Sequence, residues 1–307
     1  MPNFSIIAND SHSNLKKMIK KIFLLFFLDL PLQACAELPL TVEDLIGERG
    51  KIRLDYSVSY ANSERSSIRM GEPLIVQTGA TSFVRIPTRV GEVNANDDLL
   101  VSTLGMRYGL TSRTEIYGRG SYLYGMYRSS GAFGPTSSIE SRFVDSWIGA
   151  NYRFKFDDDT PAVIGFTEFS IRERDAAGGR SFKSNMVGIT AYKSIDPIVF
   201  SVTSAYRVNR GYVADTKTFK PGNLVMLTPS ISFAANSFVT LSAGVQWSSR
   251  RADRINQVDQ GALKTSTDLI LGINYSVNQK NSVGLSMRTN SSGRNGAGLR
   301  LNWLSSL

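Results

Sequence analysis

Cysteine and histidine are nearly missing from this sequence. Each occurs once, as Cys35 and His12, in 307 residues. Both fall before Glu37, in a stretch that reads as a leader, so the processed chain is expected to hold neither thiol nor imidazole. That excludes disulfides as a source of its stability. It also removes the residue types on which most zinc sites and activated nucleophiles depend. Hydrolase chemistry that pairs serine or acidic residues with histidine goes with them. No enzymatic activity and no cofactor are therefore expected. Asp157-Asp158-Asp159 could suggest a metal site, but three adjacent acids in a short turn read more simply as a solvated charge run. Missing too is any run after Glu37 of the ~20 apolar residues that a membrane-crossing helix requires.

The start of the chain has the order of a secretory signal. Lys16, Lys17, Lys20 and Lys21 form a basic cluster, the apolar run Ile22–Leu28 follows, and Ala34-Cys35-Ala36 supplies small residues before a cut at Glu37. Residues 1–36 are thus read as a signal peptide, with Met18 as an alternative start. A rival reading makes Cys35 a lipidation site, although Gln33 stands where a small or β-branched residue is usual. The net charge of +9 falls to +7 once the four lysines, Asp10 and Asp29 are cut away. A basic balance suits anionic partners such as lipopolysaccharide or acidic solutes. The basic residues are scattered rather than striped and no nucleic-acid motif is present, so no nucleic acid is expected as a partner.

Period-two alternation dominates the rest. Ile52, Leu54, Tyr56, Val58 and Tyr60 alternate with Arg53, Asp55, Ser57 and Ser59, which is the pattern of a half-buried strand. The same alternation recurs over Leu100–Leu110, Val144–Phe154, Val239–Trp247, Leu269–Val277 and Ala297–Trp303, with Val144 assigned to the apolar face and Val101 to the polar one. Connections alternate between short ones, as at Ser194–Pro197 and Asn278–Lys280, and long ones, at Arg128–Ser138, Arg174–Ser181, Asn209–Gly222 and Arg250–Leu263. Short periplasmic turns and long outer loops are the rule in outer-membrane barrels. Aromatic residues share the apolar face and gather at both strand ends. Tyr108, Tyr152, Phe154, Phe233, Tyr275 and Trp303 lie beside short turns; Tyr60, Tyr122, Tyr124, Tyr206 and Trp247 lie toward long loops. Two such belts suit two membrane interfaces. Because the bilayer interior satisfies no backbone group, only helices or closed barrels cross it. The fold class that follows is all-β, a transmembrane antiparallel β-barrel of about twelve strands over 51–304. Leu74–Val90 also looks extended. An even strand number places it in outer loop 1, about 63–97, as a hairpin. Pro229 falls within a wall strand, where a bulge would accommodate it, and Phe182–Ser194 has no clean phase.

Before the first strand, residues 37–50 hold Thr41, Asp44 and Gly47 at spacings that predict a short helix of one to two turns. Val42, Leu45 and Ile46 would anchor it as a plug in the periplasmic mouth; a lead-in hanging in the periplasm is the alternative. The inward positions carry Arg53, Arg107, Arg119, Arg153, Arg207, Arg288 and Arg300 against Asp55, Glu115, Asp145 and Asp268, with Glu168 beside them. Such a lumen can favour anions by electrostatic focusing, or its charges can pair across a narrow barrel and fill it. Among the loops, Arg174, Arg180, Arg210, Lys217, Lys220, Arg251 and Arg254 could meet lipopolysaccharide phosphates or simply face solvent.

A resemblance then becomes visible. Gly50–Tyr60 followed by Ser63-Glu64-Arg65, Arg85–Glu92, and Leu104–Thr111 with Glu115–Ser121 resemble the barrel of the Fap-type functional-amyloid secretion channels. Those channels belong to the broader outer-membrane family named for the meta-cleavage pathway of phenol degradation. The resemblance runs from about Leu40 to the end and implies a twelve-stranded outer-membrane barrel in a Gram-negative-type bacterium, passing a small solute or an unfolded polypeptide. It implies as partners the outer-membrane lipid, lipopolysaccharide and the barrel-assembly machinery. The alternative is a structural or adhesive barrel acting through its outer loops. The chain departs from the amyloid channels in lacking a heptad region before the barrel, so the trimer that their coiled coil builds is not implied. Beyond Trp303, Leu304-Ser305-Ser306-Leu307 stands as a short tail where outer-membrane barrels usually end on an aromatic residue.

Overall fold

The computed structural model describes residues 46–65, 74–79, 82–86, 94–131, 134–173, 184–214, 217–292 and 296–307. Among them the chain forms β1 (Ile52–Arg65), β2 (Leu74–Gln77), β3 (Phe83–Ile86), β4 (Asn94–Gly109), β5 (Thr114–Gly131) and β6 (Gly134–Lys155). It continues through β7 (Ala162–Glu173), β8 (Ser184–Ile195), β9 (Ile198–Asn209), β10 (Tyr212–Ala214), β11 (Lys217–Lys220) and β12 (Leu224–Ala234). The last six are β13 (Val239–Arg250), β14 (Asp253–Ile255), β15 (Val258–Gln260), β16 (Lys264–Asn278), β17 (Asn281–Asn290) and β18 (Gly296–Ser306).

Twelve of these strands close an antiparallel barrel in the order β1-β18-β17-β16-β13-β12-β9-β8-β7-β6-β5-β4. β1 completes the ring by pairing β4 on one side, with Leu54 opposite Met106, and β18 on the other, with Tyr56 opposite Trp303. Pairing runs on past Trp303 to Ser306, so Leu304–Ser306 is strand rather than tail. Closure leaves no strand edge unsatisfied.

The apolar phase of each wall strand points away from the barrel axis. Leu104 and Met106 on β4 are 60% and 56% exposed, whereas Thr103 between Leu104 and the long-loop end is buried. All eleven belt aromatics are exposed. Tyr60, Leu100 and Tyr124 lie side by side across β1, β4 and β5, and Trp303, Val283 and Tyr275 do so across β18, β17 and β16. The ambiguous segment resolves as β8, with Val187 and Ile189 outward and Met186 and Tyr192 inward.

Three expectations need correction. Val144 points inward and is buried, because the β5–β6 register shifts between Ser121 and Tyr122 and makes Val144 the extra residue of a bulge. Pro229 needs no bulge: the β12–β13 register is unchanged on either side of it, and pairing merely lapses over Thr228 and Pro229, while β9 still pairs through Val202. Arg128–Ser138 is not an open loop, since β5 and β6 stay paired out to Gly131 and Gly134. The expected loops Asn209–Gly222 and Arg250–Leu263 carry β10, β11, β14 and β15, which join as one small sheet, with Phe219 opposite Ile255. Arg174–Ser181 lies outside the described residues.

Leu74–Val90 contains the expected hairpin, β2 with β3, over the described part Leu74–Ile86. It packs inside the barrel rather than over it. Val76, Val84 and Ile86 form one buried cluster with Leu99, Val101, Leu123, Tyr127 and Val144 of β4, β5 and β6. On its other side Phe83 packs with Phe166, Met186, Ala205, Leu224 and Met226 of β7, β8, β9 and β12. The hairpin therefore crosses the lumen, and the inner wall of β4–β9 and β12 that faces it is apolar where it meets an apolar partner.

Candidate functional site

Inward parity brings the charged side chains into three groups. The first lies at the short-turn end. Arg107 Nη2 donates to Asp55 Oδ2 at 3.3 Å, and its Nη1 stands 3.5 Å from Glu115 Oε1. Glu115 is 0% exposed and accepts from Asn151 Nδ2 at 2.9 Å and from the backbone N–H of Gly47 at 2.8 Å. That last bond fixes the lead-in. Gly50, at φ 81°, makes the left-handed turn that glycine tolerates, and its N–H donates to the Gly109 carbonyl at 2.8 Å. A side chain at Gly109 would run into the Glu48 carbonyl. Ile46 is thereby buried against Ala162, Ile164 and Tyr192 on the inner face. The expected helix falls on Thr41–Leu45, outside the described residues, as do Val42 and Leu45; Ile46–Gly50 is bend and turn.

The second group is central. Arg119 Nη2 donates to Glu168 Oε2 at 3.1 Å, with Asp145 Oδ1 4.0 Å from Nη1. Glu168 also accepts from the Tyr117 hydroxyl at 3.0 Å. Trp147, 1% exposed, donates from its indole N–H to Asp145 at 3.0 Å. The guanidinium carbons of Arg119 and Arg207 stand 5.1 and 5.0 Å from its ring centre. Arg207 is salt-bridged to Glu173, which also accepts from Ser184 Oγ at 2.7 Å. Glu173 is a member of this group that alternation misses. Counted from Glu168 it should face outward, but the β6–β7 register shifts between Ser146 and Trp147 and turns it in. No signal in the sequence announces that bulge.

The third group sits across the lumen. Asp268 pairs with Arg288, whose Nε donates at 3.0 Å, and accepts from Asn290 Nδ2 at 2.5 Å. Arg288 also reaches Gln77 of the hairpin at 3.5 Å. The hairpin is tied to β1 by Ser57 Oγ donating to the Thr78 carbonyl at 2.8 Å and Ser59 Oγ to the Gln77 carbonyl at 3.0 Å. Arg53 is buried at the short-turn end, and Arg153 lies 4.9 Å over the Phe156 ring. Arg300 belongs to none of these groups. Two acids of the turn hold backbone groups: Asp157 accepts from the Ser194 N–H at 2.7 Å and Asp158 from that of Thr160 at 2.9 Å.

Two cavities remain beside the hairpin, lined mainly by β1, β12, β13, β16, β17 and β18, with β7, β8 and β9 adding to the larger one. One of about 440 Å³ lies toward the short turns and one of about 270 Å³ toward the long loops. They share four lining residues, Gln77, Ile270, Ser286 and Arg300, and so adjoin there.

No family model matches the chain, and neither does any curated protein. Among solved structures, an outer-membrane channel from Pseudomonas putida F1 superposes with a TM-score of 0.60 at 13% identity, over 91% of this chain and 100% of that one. The translocator domain of the autotransporter NalP from Neisseria meningitidis reaches 0.49 at 8% identity, covering 98% and 99%. The transport unit of the autotransporter AIDA-I from Escherichia coli reaches 0.46 at 11%, covering 95% and 98%. The first of these shares this chain's fold, a twelve-stranded barrel of the outer-membrane type.

Proposed function

We propose that this chain is an outer-membrane channel for a small solute, narrowed by the Leu74–Ile86 hairpin and by the lead-in at Ile46. The observation that carries the reading is the pair of cavities meeting at Gln77, Ile270, Ser286 and Arg300 inside a closed barrel whose outer face is apolar. The hairpin occupies the middle of the barrel, which favours a small solute over an unfolded polypeptide. The resemblance to the meta-pathway outer-membrane family, with its Fap-type members, and the fold shared with the Pseudomonas putida channel point the same way. The reading includes a leader at 1–36, insertion by the barrel-assembly machinery of a Gram-negative-type bacterium, and lipopolysaccharide around the outer rim.

A second reading, action through the outer surface, draws on the small β10-β11-β14-β15 sheet, which presents exposed Lys217, Lys220 and Arg254. Planar-bilayer recording separates the two. Purified protein is expected to give discrete conductance steps, larger after deletion of Glu37–Gly47. Silence from both forms would overturn the channel reading in favour of the surface one.

A further inference from the structure

We propose that Arg300 is an anion-binding residue where the two cavities of the lumen adjoin, taking small oxyanions, that is, solutes bearing carboxylate or phosphate. Its consequence for transport rests on the channel reading; the binding site itself does not.

The other inward arginines with salt bridges are already engaged. Arg107 faces Asp55 and Glu115, Arg119 faces Glu168, Arg207 faces Glu173 and Arg288 faces Asp268. A paired guanidinium has little field left for a visitor. Arg300 has no carboxylate of its own. No protein acceptor reaches its Nε or Nη1, although both atoms are buried. A buried charged donor without a partner is costly, so such a group in a folded protein calls for an acceptor, a water or a ligand of opposite sign. The acid whose field reaches it is Asp55, already engaged with Arg107 at 3.3 Å.

Position puts this residue at the cavity wall. Its cross-strand neighbours are Ser59 and Ser286, both short, and the residue as a whole is half-buried. It lines both cavities, so any solute moving between them passes it. Among the described residues, cations outnumber acids in both linings: Arg53, Arg107 and Arg300 against Asp55 toward the short turns, and Arg250, Lys264, Arg288 and Arg300 against Asp268 toward the long loops. Arg107, Arg250 and Arg288 are each held by a carboxylate, so they add little to that excess. Low-dielectric walls focus such a field and raise the local concentration of anions. The planar fork of an arginine matches a carboxylate or phosphate with two parallel hydrogen bonds, which a chloride ion cannot accept in that geometry.

The test combines current and binding. In a potassium chloride gradient the wild-type reversal potential is expected to report anion preference. Arg300→Gln should lower the chloride-to-potassium permeability ratio about threefold or more, and Arg300→Glu should invert it. Arg300→Lys, which keeps the charge, should retain most of it. Arg128→Gln, half exposed near the long-loop end and paired with Asp98, is the control expected to match wild type. Inorganic phosphate should block the wild-type chloride current and fail to block Arg300→Gln. Calorimetric titration of phosphate into the detergent-solubilised protein gives the independent arm. Binding that is lost in Arg300→Gln from a protein silent in bilayers would keep the site and remove the channel. Cation selectivity in the wild type, or a ratio unchanged in Arg300→Gln, would overturn the transport consequence. Phosphate binding absent from the wild type, or equal in both proteins, would overturn the site.

Discussion

At the level of single residues, the interior is held by ion pairs whose worth depends on burial. Arg119 and Glu168 are both shielded from solvent, and Glu168 is 0% exposed. Removing Arg119 leaves a buried carboxylate with only the Tyr117 hydroxyl and strips a cation from the Trp147 face. Arg119→Ala is therefore expected to destabilise the barrel by about 3–5 kcal/mol, the usual cost of orphaning a buried charge. Arg128, paired with Asp98 near the long-loop end, is half exposed. Arg128→Ala should cost less than about 1 kcal/mol, because solvent screens such pairs. Urea unfolding of the two variants in the same detergent checks the contrast; equal losses would contradict the burial argument. Inward charge was legible from alternation alone for Arg107, Glu115, Arg119, Arg207 and Arg300. The partners were not, since Glu173 reaches Arg207 only through a bulge that composition does not mark. Nor could alternation separate the paired arginines from Arg300, which faces no carboxylate of its own.

The element that decides the bore is the β2–β3 hairpin. Its extended character was legible in Leu74–Val90, and strand parity kept it out of the wall. Its inward position was not legible, because the signal is divided. Val76, Val84 and Ile86 lie in the segment read as an extended part of an outer loop, while Val101 stands on the polar phase of its strand, as an apolar residue without an evident partner. Only their contact gives both meaning. The lead-in shows the same limit: its apolar residues suggested a plug, but the hydrogen bond from Gly47 to Glu115 joins positions 68 residues apart. Docking of the hairpin is separate from closure of the wall, and this has a measurable consequence. Val84 is fully buried in its cluster. Val84→Asp would place a carboxylate there at a cost of several kcal/mol, on the order of 3 or more, and should expel the hairpin while the wall strands stay paired. Single-channel conductance should rise, with the strand signature in circular dichroism unchanged. An unaltered conductance from a folded barrel would show that the hairpin does not limit the pore.

Taken whole, the molecule is an inverted protein: charge inside, hydrocarbon outside. The outward Leu, Ile, Val and Tyr side chains of all twelve strands form a continuous band. Soluble proteins seldom expose apolar patches beyond a few hundred Å². Each large aliphatic side chain left in water forgoes roughly 1.5–3 kcal/mol, so a band of this extent requires lipid. The twelve-strand count and the outward phase were the most legible features of the sequence, since period two is fixed by backbone geometry and repeats in every strand. Neighbouring residues on β12 offer the most direct test. Ile231 faces out and Ser232 lines the inner cavity. Nitroxide labels placed on single cysteines at these two positions, in a Cys35→Ser background and in liposomes, should respond oppositely. The label at 231 should relax with oxygen dissolved in the bilayer, and the one at 232 with a water-soluble nickel chelate. Nickel contact at 231 with oxygen contact at 232 would contradict the account, as would a processed protein that stays soluble without detergent.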